Sequence, residues 1–313
     1  MIDAFINAIA PIFSVVVIGY ILGKKKIFDA EAVNTINRLV FYALLPPFFL
    51  GLSGQAPFHD FEPLYLLAYF SVSLLINASV ALVSYKLFKR DLRESILLGF
   101  MAGFVNHTFF ILPVAKVIYG ANAILPVTAV IAVDMMIMYG ATVIIMDCAS
   151  KSSTSASRAD KVKHIAKTIG TNPHSLSLIA GLVLNIAGVS FDNGLGVFTG
   201  FLGSAAAPCS LFALGLFLSG QKLTGNVGLV SFISTMKLLV MPILALISFT
   251  MVFKLAPNWE GPGMFVAAGP CGTLPFILAI QYKVRVDTIS QVLLITTFAC
   301  NITLSLVILF QAM

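Results

Sequence analysis

Long apolar stretches alternate with short polar turns along the chain, and each stretch is close to the length of a membrane-spanning helix. A bilayer core about 30 Å thick requires roughly 20 apolar residues in a helix. The pattern predicts ten spans, numbered 1 to 10 in chain order: 5–22, 33–51, 63–86, 95–119, 124–147, 174–190, 197–219, 227–252, 262–281 and 288–311. The expected fold class is an all-α membrane protein with ten transmembrane helices.

Two of these spans contain residues that oppose a regular helix. Span 4 carries the polar triplet 106–108 (Asn-His-Thr) and then Pro113, and span 9 reads Gly-Pro-Cys-Gly-Thr-Leu-Pro over 269–275. Proline removes a backbone donor and crowds the carbonyl four residues back, so we expect breaks at Pro113, Pro270 and Pro275. In hydrocarbon a broken helix survives only where protein or water satisfies its freed backbone groups, so the breaks predict a binding site. Pro kinks that only shape packing are the alternative.

The polar, Ser-rich stretch 148–173 divides the predicted spans into a first repeat (1–147) and a second repeat (174–313). Two short sequences recur in the two halves, Leu-Ser-Gly-Gln at 52 and 218 and Leu-Pro at 112 and 274. Each half contains an odd number of spans, five, so the second repeat enters the membrane from the opposite side. We therefore expect two inverted five-helix repeats with crossed broken helices 4 and 9. The 148–173 stretch itself is either a solvated linker or a lipid-binding loop.

Composition and charge support a membrane protein. Of the 313 residues, 59% are hydrophobic and 10% are charged, against about 25% charged in soluble domains. With the N-terminus outside, 16 of the 19 Lys and Arg residues fall on the inner side. The positive-inside rule then predicts both termini outside and 148–173 in the cytoplasm. The net charge of +6 reflects basic loops, and we expect no nucleic-acid partner.

Three ionisable residues lie deep in predicted spans: His107, Asp134 and Lys237. Such residues are costly in a bilayer and are functional by default. We interpret Asp134 as a carrier of H⁺, a ligand of Na⁺ or the partner of Lys237, and His107 as a proton carrier or a packing residue. A salt bridge that only joins helices is the alternative for Asp134 and Lys237.

Half-helices that meet at the breaks would direct their positive N-terminal ends at one point, which suits a carboxylate. The candidate binding residues are Asn106, His107, Thr108, Gly269, Pro270, Cys271, Gly272 and Thr273. The four cysteines lack metal-ligand spacing and no enzyme motif is present, so we expect neither a metal centre nor an enzyme, and no cofactor beyond a coupling ion.

Several of these motifs resemble the auxin efflux carrier family, which includes the plant PIN-type carriers and bacterial malonate-carrier-type permeases. Asn106, Pro113, Lys116 and Tyr119-Gly120 are similar to its first crossover helix, and Pro270-x-Gly272-x-x-Pro275-Phe276 is similar to its second. Lys237, five residues before Pro242, resembles a basic residue of its eighth helix. Tyr139 stands where members place a substrate-facing tyrosine.

The resemblance implies a fold like that of the sodium/proton antiporters and bile-acid transporters. Spans 1, 2, 6 and 7 would form a scaffold and a homodimer surface, and spans 3, 4, 5, 8, 9 and 10 would move as an elevator. It implies transport of a small organic anion, such as malonate or an auxin-like weak acid, across the inner membrane. A departure is Asp134, where plant members have an amide. The alternatives are a sodium- or proton-coupled carrier of the bile-acid or antiporter type and a non-transporting membrane sensor.

Overall fold

The computed structural model describes residues 5–56, 61–149, 173–221 and 224–311, and these residues are almost entirely helical. Short connections separate the helices, and the described residues contain one isolated antiparallel bridge, between Val105 and Cys271. The α-helices are α1 (Ala10–Lys24), α2 (Ala30–Leu39), α3 (Leu45–Gly54), α4 (Pro63–Lys86), α5 (Leu92–Gly103), α6 (Leu112–Tyr119), α7 (Ile124–Val133), α8 (Tyr139–Ala149), α9 (Pro173–Ile186), α10 (Gly194–Ser219), α11 (Val227–Thr235), α12 (Met241–Ile247), α13 (Pro257–Ala267), α14 (Leu274–Gln281) and α15 (Asp287–Gln311).

Several helical runs are long and apolar enough to cross a membrane, which makes the chain a multi-pass membrane protein. The described residues contain six: Glu31–Gly54, Pro63–Lys86, His107–Val133, Gly194–Ser219, Val227–Val252 and Asp287–Gln311. The run His107–Val133 is not one straight helix, because Gly120 has φ 63° and ψ −141°. Only glycine adopts such a backbone easily. Five of the six runs coincide with predicted spans 2, 3, 7, 8 and 10, and the total of ten spans stays a prediction.

Wider helical turns, in which an N–H bonds to the carbonyl five residues back, interrupt the α-helices repeatedly. They are Phe5–Ile9, Val40–Leu44, His107–Ile111, Asp134–Met138, Met236–Val240 and Ser248–Val252. Four of the six end two residues before a proline: Pro11, Pro46, Pro113 and Pro242. Proline crowds the carbonyl four residues back, and a π-type turn relieves this crowding without ending the helix.

Because such a turn accommodates Pro113, the sequence-based expectation for span 4 needs a correction. The break expected at Pro113 lies instead at 104–106, between α5 and the His107–Ile111 turn. Pro113 stands in the first turn of α6, where a proline needs no N–H partner. The break in span 9 does fall at Pro270, between α13 and α14, and Pro275 is in the first turn of α14.

The helices pack in two groups. In the first, α1 and α10 approach so closely that a Cβ on Gly19 would overlap the backbone of Phe212. In the same group α9 lies on α3, where the Ser53 hydroxyl donates to the Leu178 carbonyl over 2.9 Å and the Asn185 amide donates to the Gly54 carbonyl over 2.8 Å.

The second group contains both interrupted segments. Here α4 packs against α5, α11 against α15, and α14 against α5. The Ser73 hydroxyl of α4 donates to the Gly103 carbonyl at the end of α5 over 3.1 Å. Aromatic rings join the two groups, with Phe13 edge-on to Phe298 at 5.2 Å and Phe217 against Phe276 at 4.3 Å between centroids.

Candidate functional site

The two interruptions lie against each other and share their backbone hydrogen bonds. The Asn106 N–H donates to the Pro270 carbonyl over 2.9 Å, and the Gly272 N–H donates to the Phe104 carbonyl over 3.0 Å. A break inside hydrocarbon leaves polar backbone groups that lipid cannot satisfy. Each interruption therefore supplies part of the hydrogen bonding that the other one has lost.

The contact requires a glycine at one point. A Cβ on Gly272 would come within 2.5 Å of the Phe104 ring and 3.0 Å of the Val105 carbonyl oxygen. Helix α15 supports the second interruption from behind, since the Thr296 hydroxyl accepts from the Cys271 N–H over 3.3 Å. The Thr303 hydroxyl of the same helix donates to the Ala268 carbonyl over 3.1 Å.

A small cleft opens beside this contact, with about 240 Å³ of space that protein atoms do not fill. Its wall is formed by Phe104, Val105, Asn106, His107, Thr108, Phe109, Met135, Gly272, Thr273 and Leu274. Two helical segments begin at it, one at His107 and one at Leu274. The first N–H groups of a helix lack partners within the helix and carry partial positive charge. The cleft is thus small and lined mostly by apolar side chains, and two helix N-termini with partial positive charge lie beside it.

Five of the predicted binding residues line the cleft: Asn106, His107, Thr108, Gly272 and Thr273. The Asn106 amide side chain makes no hydrogen bond to any residue in the described part of the chain, so it is available to a ligand. Gly269, Pro270 and Cys271, which were also predicted, form the contact between the interruptions and do not line the cleft.

Tyr139 also lies outside the cleft wall. The residue that reaches the cleft from this part of the chain is Met135, in the turn Asp134–Met138, four residues before Tyr139. Tyr139 is half-buried and interacts electrostatically with Tyr282. Sequence reasoning missed five apolar wall residues: Phe104, Val105, Phe109, Met135 and Leu274. All of them except Met135 are adjacent to an interruption in sequence, and this adjacency is a signal that could have found them.

Asp134 pairs with a histidine rather than with a lysine. Its Oδ2 lies 2.9 Å from His107 Nε2, and each side chain is only 1% exposed. The other ring nitrogen, His107 Nδ1, is 3.3 Å from the Thr108 hydroxyl. The direct pairing of Asp134 with Lys237 that the sequence suggested is therefore replaced by a His107–Asp134 pair. This pair links the cleft to the turn Asp134–Met138.

Lys237 is fully buried, and its ammonium group lies at the C-terminal end of α13. Its Nζ donates to the Ala267 carbonyl over 3.4 Å and lies 3.0 Å from the Met241 sulfur. Because Ala267 is the last residue of α13, the ammonium group faces the negative end of that helix. Lys237 interacts with Asp134 electrostatically without forming an ion pair.

These three residues, His107, Asp134 and Lys237, share a local feature, since each lies in one of the wider turns. His107 and Asp134 are the first residues of their turns, and Lys237 is the second residue of its turn. Single π-type turns inside α-helices occur frequently at functional sites. No group of three or more His, Cys, Asp or Glu side chains that could hold a metal ion occurs among the described residues.

Interrupted helices that meet inside a multi-pass membrane protein, beside a cleft lined by their N-terminal ends, are an arrangement found in secondary transporters. The chain belongs to the membrane transport protein family, whose model matches residues 4–308. This confirms the resemblance to the auxin efflux carriers, and the family indicates a membrane transporter rather than an enzyme.

Curated relatives match nearly the whole chain. A Rhizobium meliloti protein named "Putative malonate transporter" is 25% identical over 92% of this chain and 90% of its own length. An "Uncharacterized transporter" of Methanothermobacter thermautotrophicus is 23% identical over 96% of each chain. The "Uncharacterized transporter YfdV" of Escherichia coli is 25% identical over 92% of this chain and 91% of its own length.

Proposed function

We propose that this protein is a secondary transporter that carries a small organic anion by alternating access. The observation that carries the proposal is the cleft at the two interruptions, where helical segments begin at His107 and Leu274. Helix N-termini bind anions through free N–H groups and the helix dipole. A relative named as a malonate transporter makes a small carboxylate the class to test first, with malonate and auxin-like weak acids as the leading candidates.

The wall of the cleft fits this substrate class. The amide of Asn106 and the hydroxyls of Thr108 and Thr273 supply donors for one carboxylate group. The remaining wall is apolar, through residues such as Phe109 and Met135, and it would contact the carbon skeleton of the substrate. The wall consists of only ten residues, and the cleft they line is small. A substrate of a few heavy atoms is therefore expected.

The proposal includes the inverted-repeat architecture. In each half a Leu-Pro pair opens an α-helix of 8 residues. Helix α14 begins at Leu274 directly after its interruption, and α6 begins at Leu112 after the turn His107–Ile111, which follows the interruption at 104–106. Repeats at 1–147 and 174–313 would place the interruptions near the middle of the bilayer. The cytoplasmic linker 148–173 falls outside the described residues, apart from its ends. Both termini would lie outside the inner membrane.

The two packed groups support an elevator-type movement. Helices α1, α3, α9 and α10 would form the scaffold, and the group that holds the cleft would move relative to it. Aromatic contacts such as Phe13–Phe298 lie at the boundary between these groups. A homodimer would form through the scaffold, where Val197 and Phe201 of α10 are 73% and 79% exposed. Coupling to a gradient of H⁺ or Na⁺ would act through Asp134.

The first test is ligand-dependent stabilisation of the purified protein. We expect at least one of a panel of mono- and dicarboxylates to raise the melting temperature, measured with and without Na⁺ at two pH values. Asn106→Ala should abolish this effect. Asn122→Ala, which changes an exposed asparagine in the Gly120–Ala123 turn, should preserve it. A panel in which no carboxylate stabilises the wild-type protein would contradict the proposal.

A further inference from the structure

We infer that the His107–Asp134 pair binds one proton for each anion transported, so that H⁺ is the coupling ion. This inference rests on the proposed function, because it assigns a role beside the same cleft. Its basis is the 2.9 Å contact between His107 Nε2 and Asp134 Oδ2, both 1% exposed, next to a cleft that His107 itself lines.

A structural role alone explains this pair poorly. Removing two ionisable groups from water costs about as much free energy as their attraction returns, so buried pairs contribute little net stability. Ionisable residues within membrane spans are functional by default. The pair also joins two elements that the cleft requires: His107 begins the helical segment that faces the cleft, and Asp134 begins the turn that contributes Met135.

The chemistry of the pair favours a proton over Na⁺. An imidazole nitrogen and a carboxylate oxygen in hydrogen-bond contact can hold a proton between them, whereas Na⁺ prefers oxygen ligands. One carboxylate oxygen of Asp134 already faces a ring nitrogen that can carry a proton. A proton can move between Nε2 and Oδ2 along the existing hydrogen bond, without rearrangement of the surrounding helices.

Electrostatics connects the proton to the anion. Without the proton, the neutral imidazole and the ionised carboxylate carry a net charge of −1 beside the cleft; with the proton, the pair is neutral. Two like charges about 6 Å apart at an effective dielectric constant of about 20 weaken binding roughly a hundredfold. By reciprocity, an anion in the cleft strengthens proton binding by the same factor.

Other groups near the pair do not change the sign of this effect. Lys237, Tyr65 and Tyr69 interact electrostatically with Asp134. The hydroxyls of Tyr65 and Tyr69 are buried and make no hydrogen bond to the residues that the structure describes. At any given charge on Lys237, protonation of the pair raises the local charge by one and favours an anion.

The decisive measurement is proton uptake by the purified full-length wild-type protein on anion binding. Pyruvate and malonate serve as probes at about pH 7 and about pH 8.5, where both acids are almost fully ionised. We expect uptake approaching one proton per bound anion at the higher pH, and an affinity that falls by up to about tenfold per pH unit. Na⁺ and K⁺ buffers should give the same result.

Two variants test whether the proton is bound at Asp134. Asp134→Asn removes the titrating carboxylate, and we expect it to bind the probe with little pH dependence and without proton uptake. Asp147→Asn is the matched control: Asp147 accepts a 2.8 Å hydrogen bond from Tyr282 at the far end of α8, and this variant should behave as the wild-type protein does.

The possible failures are distinguishable. If neither probe binds at either pH, the proposed function fails for these substrates and the inference fails with it. Binding without proton uptake, or binding that depends on Na⁺, overturns the inference and leaves the proposed function standing. Wild-type uptake that persists in Asp134→Asn also overturns it. If that variant does not fold, the wild-type uptake still decides whether a proton accompanies the anion.

Discussion

The N–H of Asn106 donates to the carbonyl of Pro270 over 2.9 Å, which joins the interruption in the first half of the chain to the interruption in the second. Proline offers an acceptor and no donor, so Pro270 can end one helix and still satisfy the opposite backbone. The same bond fixes Asn106, which lines the cleft. The contact between the two interruptions and the candidate binding cleft therefore meet at one residue.

Gly272 should be the least replaceable residue at this contact. A methyl group at this position would press on the Phe104 ring and on the Val105 carbonyl oxygen, and overpacking of this kind costs about 1–3 kcal/mol. We expect Gly272→Ala to lower the melting temperature and to weaken carboxylate binding. Gly200→Ala is the matched control, because a Cβ there meets no atom within 4 Å. Equal stability of the two variants would contradict the close contact.

Thr296 should contribute more to the free energy of unfolding than its neighbour Thr297 does. Both side chains are fully buried in α15, but only Thr296 also accepts a hydrogen bond from another segment, from the Cys271 N–H. Thr296→Val would leave that buried N–H without a partner, which costs about 1–3 kcal/mol. We expect Thr297→Val to cost clearly less in chemical unfolding. A reversed order would show that the second interruption does not depend on α15.

Much of this site follows from sequence, and the rest depends on geometry that sequence does not carry. Proline and glycine content predicted an interruption in each half, because neither residue suits a helix interior. Its position in span 4 was wrong, since the turn His107–Ile111 absorbs Pro113. Opposite charge suggested Lys237 as the partner of Asp134, whereas chain reversal at Gly120 brings His107 to Asp134 instead.

The position of Tyr139 at the substrate, which the resemblance implied, stays a prediction. The segment Asp134–Met138 directly before it is one of the wider helical turns, which changes which side chains share a face. Met135 then lines the cleft and Tyr139 does not. Helical periodicity read from sequence assumes about 3.6 residues per turn, so an undetected π-type turn shifts every later position around the helix.

A substitution at Lys237 tests whether its charge contributes to ligand binding or only stabilises the end of α13. Its ammonium group is fully buried at the C-terminal end of α13. A buried ammonium group that makes no ion pair carries a desolvation cost that an apolar side chain of similar length does not carry. We therefore expect Lys237→Met to keep or raise the melting temperature, while carboxylate affinity falls because one positive charge near the cleft is lost. Lys116→Met, at an exposed position of α6, should leave affinity unchanged. A Lys237→Met protein that binds carboxylates as tightly as the wild type would show that Lys237 only completes the end of α13.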